Sequence, residues 1–232
     1  MKLKFAYLFV FTLFLVFSCS NSITYTEAIK VETSGRYLYH PDAIIDVFYE
    51  EDNLYLNWRG AQIKPVALDE ITFFVPDMYQ KLRFVQHPAT QKMYLAIIPE
   101  NEKDALTYAY VKVSDTFNTP SMHLENKNYK AALQGFEAIK AQDSTSELLN
   151  ERAFNSMGYE LMRNKDYQDA IAVFKINTVL HPESDNAFDS LAEGYLNQGD
   201  SLLAWTNFKK ALQLNPSNRR AKKFIQAYHI EE

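Results

Sequence analysis

Cysteine is nearly absent: Cys19 is the only one in 232 residues. That excludes an intrachain disulfide and a multi-cysteine metal site. Glycine is scarce as well, and its six copies stand singly, so there is no glycine-rich loop to cradle a phosphate. With only eight prolines, a long disordered or collagen-like tract is excluded too. The chain has no Ser-x-x-Lys, no Gly-x-Ser-x-Gly and no His-Glu-x-x-His. The histidines, His40, His87, His123, His181 and His229, lie far apart, and a pair such as His123 with Glu125 is common surface chemistry. No acid–base pair or metal set is legible, so the chain reads as a non-enzyme without cofactor or metal. Positive charge is not in excess either. Lys and Arg number 24 against 29 Asp and Glu, a net charge of −5. Nucleic acid is recognised through a basic face that displaces counterions, so no nucleic-acid partner is expected.

What is present begins at the N-terminus. Lys2 and Lys4 precede an apolar run over residues 5–17, broken only by Thr12. As a helix this run reaches about 20 Å, short of the roughly 30 Å hydrocarbon core, so it reads as a secretory signal and not a membrane span. It ends in Val16-Phe17-Ser18-Cys19, which resembles the bacterial lipoprotein signal. The resemblance implies that residues 1–18 are removed and that Cys19 carries the lipid. Residues 19–26 then form a short tether, and the protein is anchored in the bacterial envelope. Ser20, at the second mature position, points to the outer membrane by the same resemblance. The alternative is an ordinary signal peptide with an incidental cysteine.

From residue 27 to 113 the pattern changes to short alternating runs rich in β-branched and aromatic residues. Examples are Ile44-Ile-Asp-Val-Phe-Tyr49, Leu54-Tyr-Leu-Asn-Trp58, Ile71-Thr-Phe-Phe-Val75 and Tyr108-Ala-Tyr-Val-Lys-Val113. The acidic stretch Glu50-Glu-Asp-Asn53 reads as a hairpin turn. Pro65 makes residues 61–67 an edge strand or an interrupted one. Seven or eight strands spaced about ten residues apart predict a meander, either a curled sheet or a small barrel. Gly35-x-Tyr37, Leu54-Tyr-Leu56, Phe73-Phe-Val75 and Leu82-Arg-Phe84 come in an order that resembles the small β-domain appended to β-lactamase-related serine hydrolases. That resemblance brings no catalytic role, because the chemistry of those proteins sits in a preceding domain. The aromatics between Tyr37 and Phe84 read as core and cross-strand pairs, with a ligand cavity as the alternative.

The last third repeats. An offset of 34 residues maps Phe154 on Phe188, Met157 on Leu191, Gly158 on Ala192, Leu161 on Tyr195, Ala170 on Ala204, Phe174 on Phe208 and Pro182 on Pro216. This register resembles the tetratricopeptide repeat, with Asn177 standing where a small residue is usual. Small residues let paired helices approach closely, and the prolines end each second helix. Ser144-Thr-Ser-Glu147 reads as a capping box that starts the first helix near residue 145, and Asp166 and Asp200 as N-caps of the second helices. A degenerate copy occupies residues 119–144. Full repeats follow at 151–184 and 185–218, with a cap helix at 218–229 whose Arg219, Arg220, Lys222 and Lys223 face solvent. The fold class is therefore α+β in two domains. An antiparallel β meander or small barrel at 27–113 precedes an all-α array of tetratricopeptide-like helical hairpins at 119–232.

The repeat resemblance places Asn155, Tyr159 and Arg163, then Asp189, Glu193 and Asn197, on the concave groove as protein-binding candidates. The alternative is that they are solvated surface. Only one of the six, Arg163, is a cation, unlike the basic clamp with which some family members hold acidic peptide tails. The expected function is a lipid-anchored envelope protein that binds another protein through its repeats. The alternative is an accessory module whose β-domain binds a small apolar or glycan ligand. The membrane contact is expected through the lipid on Cys19. Mass spectrometry of the membrane-purified protein should find Cys19 as the first residue, bearing acyl chains; an unmodified Cys19 refutes the anchor.

Overall fold

A helix, and not a strand, opens the described chain. The computed structural model describes residues 23–101 and 104–228. Cys19 and the signal-like run lie outside the described residues. Helix α1 (Glu27–Thr33) starts where Thr26 Oγ1 accepts the Ile29 N–H. Tyr25, expected in the tether, is buried in the β core, with Ile23 and Ile29 partly buried against it.

Nine antiparallel strands follow: β1 (Gly35–Tyr39), β2 (Ala43–Glu50), β3 (Asn53–Trp58), β4 (Ala61–Ile63), β5 (Val66–Ala67), β6 (Thr72–Val75), β7 (Gln80–Gln86), β8 (Met93–Ile98) and β9 (Thr107–Val113). Their order is β4-β3-β2-β1-β9-β8-β7-β6-β5, so the first and last long strands pair and the two shortest are the edges. Those edge strands are consecutive in the chain, joined by Lys64 and Pro65. A two-residue link spans at most about 11 Å, so the sheet must curl until its edges face each other. It is a half-barrel, closed along β1–β9 and open at the proline, which has no N–H to offer a ladder. Arg59 and Gly60 both have positive φ between β3 and β4, the backbone of a tight two-residue hairpin turn.

The interior is filled by alternate residues of the strands. Tyr37, Ile45, Leu56, Phe73, Leu82, Phe84 and Leu95 are all buried. The Phe84 ring lies 5.3 Å from Phe73 and 6.0 Å from Tyr37, and the Tyr37 hydroxyl donates to Thr33 O at 2.9 Å. These aromatics are core, as the first of the two sequence readings had them.

Strands end at Val113 and helices begin at Pro120. Arg36 on β1 holds the intervening segment. Its Nε and Nη2 donate to both Asp46 carboxylate oxygens, and its Nη1 donates to Phe117 O at 2.7 Å. Asp42, in the β1–β2 turn, accepts the Ser121 N–H at 2.9 Å and so anchors the first helix of the array to the sheet.

The helices are α2 (Pro120–Glu125), α3 (Tyr129–Gln142), α4 (Glu151–Arg163), α5 (Tyr167–Leu180), α6 (Asp185–Gln198), α7 (Ser201–Leu214) and α8 (Arg219–Ala227). Two local expectations need correction. The capping box does not start α4: Ser146 caps a single 3₁₀ turn at Glu147–Leu149, and Asn150 caps α4 by accepting the Ala153 N–H. A short turn intervenes because Leu149 must be buried before the helix axis is set. Asp200 caps α7 as expected, but the Asp166 side chain makes no cap bond to α5.

The 34-residue register is a packing register. A Cβ on Gly158 would clash with the edge of the Phe174 ring, and Ala170, Ala192, Ala204 and Ala211 are fully buried at the helix crossings. Gly135 lets α3 meet Pro120 of the short α2 in the same way. Gly158→Ala gains about 1 kcal/mol of helix propensity, but overpacking against an immobile ring costs about 1–3 kcal/mol. Denaturant melts should show Gly158→Ala, Ala170→Leu and Ala204→Leu all destabilised, the two leucine variants by about 1–3 kcal/mol. Unchanged midpoints would mean these are not close crossings.

Candidate functional site

Helices α4 and α6 stand side by side and line a groove. On α4, Arg152, Ser156, Tyr159 and Arg163 follow at spacings of four, three and four residues, which puts them on one helix face. With Asn155 and Asn186 they line an open cleft of about 610 Å³. Among the described residues Arg152 and Arg163 are exposed and have no hydrogen-bond or ion-pair partner. Asn186 Nδ2 is held by Glu151 Oε1 at 3.0 Å, so it forms a fixed wall of the cleft.

The six predicted residues separate into four situations. Tyr159 and Arg163 reach the cleft. Asn155 lines it too, but it is buried, because its Oδ1 accepts from Asn177 Nδ2 at 3.0 Å. Asn177, the departure from the repeat pattern, also donates to Glu151 O at 3.2 Å. The Asn177 amide nitrogen thus serves acceptors of α4 across the α4–α5 contact, while its own Oδ1 is buried without a partner; an apolar residue in place of Asn177 would leave Asn155 Oδ1 without this donor. Asn197 is exposed and its amide donates back to Glu193 O, one turn earlier on its own helix.

Asp189 and Glu193 are not the free acidic stripe that the sequence suggests. Arg220 of α8 reaches back to them, and its Nε lies 2.9 Å from Asp189 Oδ2. Its Nη1 contacts Glu193 Oε2 and donates to Tyr159 Oη at 3.2 Å. Tyr159 in turn donates to Glu193 Oε2 at 2.9 Å, which leaves it to accept from Ser190 Oγ at 3.1 Å. Arg220 is exposed like its basic neighbours, as expected of the cap helix, but its guanidinium is committed to the groove. Ala221 and Phe224 must be buried against the array, and that rotation turns residue 220 toward the groove. Burial pushes the Asp189 carboxyl above the usual carboxylate range, with Arg220 acting in the opposite direction. Nothing in the repeat register marks Arg220, which comes from outside the repeats. Arg152 and Ser156 were legible from the helical spacing alone.

A second cleft, of about 680 Å³, lies where β1–β3 meet α2. Its Arg36 is committed to Asp46 and Phe117 O, and its Asp42 to Ser121, so these charges hold the joint together.

No protein-family model matches the chain, and no curated protein matches it. Among solved structures it is similar to MamA at 18% identity, over 47% of this chain and 61% of that one, with a TM-score of 0.33. It is similar to the first TPR of Spaghetti (RPAP3) bound to an HSP90 peptide at 15% identity, over 47% and 86%, TM-score 0.32. A third is the type III secretion translocator chaperone SycD of Yersinia enterocolitica at 18% identity, over 47% and 84%, TM-score 0.33. These neighbours are tetratricopeptide repeat proteins. The chain spans less than two thirds of MamA, and likeness of this degree carries nothing about activity or partners.

The raised Asp189 carboxyl has a pH consequence. Because its native pKa exceeds its unfolded value, the native state binds the proton more tightly, and this term stabilises the fold as pH falls through the native pKa toward about 4. The sign is opposite to that of an ordinary salt-bridged carboxylate. Asp189→Asn removes the term, so the melting temperature of the parent minus that of the variant should rise between about pH 7 and about pH 4. A fall over that interval would show that the ion pair with Arg220 outweighs burial.

Proposed function

We propose that this chain is a non-enzymatic binding protein of the bacterial envelope, anchored by a lipid on Cys19 in the outer membrane. It engages another protein through the groove between α4 and α6. The observation that carries this reading is the pair of unpartnered arginines, Arg152 and Arg163, on one face of α4 above a polar cleft. Two exposed guanidiniums about 16 Å apart along the helix, flanking a half-buried tyrosine, suit a polypeptide segment better than a small metabolite. Their charge attracts acidic residues of such a segment, since Arg220 already offsets one of the two carboxylates on the wall opposite. The curled sheet serves as the stalk, because its interior is filled by its own side chains.

The test is capture from detergent-solubilised envelope with the anchored protein as bait, followed by rebinding of the purified partner. Arg152→Glu with Arg163→Glu should abolish rebinding and shift stability by no more than about 0.5 kcal/mol, as is usual for exposed sites. Rebinding that survives this double reversal would place the contact elsewhere.

A further inference from the structure

The contact between Arg220 and the groove is asymmetric. The Asp189 side chain is 4% exposed, while that of Arg220 is 47% exposed. The carboxylate is fixed in the array, and Ser190 beside it is buried as well. The cation arrives from the solvent side on a long, flexible stem. Asp189 Oδ1 is buried with no hydrogen-bond partner, so Arg220 does not exhaust what the carboxylate can accept. A guanidinium offers five donors in a planar fork. The acceptors that converge here are Asp189 Oδ2, Glu193 Oε2 and Tyr159 Oη, gathered from two helices that stand side by side. The acid is thus the site and the arginine is its occupant. Helix α8 does not depend on that occupant alone, because Ala221 and Phe224 dock it and Phe224 packs on Phe208 at 4.7 Å.

We propose that Asp189, Glu193 and Tyr159 form a guanidinium-binding subsite of the groove, filled in the free protein by Arg220, and that a partner segment enters by placing an arginine of its own there. This rests on the groove being the binding surface and adds the chemistry of one contact. A tethered Arg220 competes at an effective concentration of about millimolar, so an arginine alone displaces it poorly. A segment that also carries acidic residues for Arg152 and Arg163 displaces it readily. The occupant therefore makes the groove selective for mixed-charge segments over purely acidic ones.

The experiment vacates the subsite and refills it. Arg220→Ala, and Arg220→Gln as the variant that keeps the stem, should each melt several degrees below the parent. Guanidinium chloride at roughly 20 mM should raise the melting temperature of both variants and leave the parent unchanged or slightly lowered, as a weak denaturant does. Potassium chloride at equal ionic strength should not substitute. A blocked peptide with one arginine among alanines should bind Arg220→Gln about tenfold more tightly than the parent, by chemical-shift titration. Its citrulline counterpart should not bind, and Asp189→Asn in the same background should abolish binding. If guanidinium lowers all melts alike, or citrulline binds as well as arginine, the subsite is refuted. If guanidinium rescues but capture ignores Arg152 and Arg163, the subsite stands and the wider groove reading falls. If capture needs those arginines but no rescue occurs, the reverse holds.

Discussion

The helical half of the molecule is organised around one ring. Phe174 is fully buried and lies where α4, α5 and α6 meet. Gly158 on α4 has no side chain because the ring occupies that space, and a Cβ on Gly194 of α6 would crowd the same ring at 3.2 Å. Tyr159 meets the same ring edge-on at 5.3 Å. The ring therefore sets the α4–α6 separation, and that separation decides whether Tyr159 can reach Ser190 and Glu193. A larger residue at 158 would move α4 outward and part Tyr159 from α6 before it touched any groove residue. Packing and site geometry are here a single constraint.

That coupling explains what could be read from the chain in advance. Small and aromatic positions recur at a fixed offset because each repeat buries the same face against its neighbour, so the register at Gly158, Ala170, Phe174 and their partners is visible in the residues. The curled sheet was legible for the same reason: alternation in β2, β3 and β7 follows from one buried face. Pro65 was legible as an interruption, but not as the link between both edges of one sheet, because the curl depends on the long-range β1–β9 pairing, which leaves no local mark. The helix at Glu27–Thr33 was missed because its seven residues carry no apolar period, and its N-cap is a single threonine.

Charge was the least legible property. Asp189 and Glu193 stand four apart on one helix and read as an exposed acidic stripe. Their partner sits 27 residues or more away, on a helix whose sequence looks like a basic solvent-facing cap. Burial of Ala221 and Phe224 decides the rotation of that helix, and no count of charges could reveal it. The joint with the sheet has the same character. Arg36 and Asp46 look like two more strand residues, yet together with Phe117 O they fix the segment that leads into the array.

The groove's two walls follow from opposite solutions to one electrostatic problem. A carboxylate at residue 189 is removed from water by the packing around Phe174 and α6, and a buried charge left unpaired is strongly unfavourable. The chain answers from its own end, with a cation that stays half in solvent and keeps most of its hydration. On the facing helix the arginines lie at the surface, where hydration suffices and no partner is needed. One wall therefore has half of its negative charge offset only while Arg220 remains in place, and the other is positive at all times. A ligand that brings only negative charge meets the second wall and leaves the first undisturbed. A ligand that brings both signs can engage the two walls together, and it alone releases Arg220 to full solvation as it binds. Discrimination between the two kinds of segment is thus set by how strongly Asp189 needs a cation, which returns to how deeply the packing has buried it.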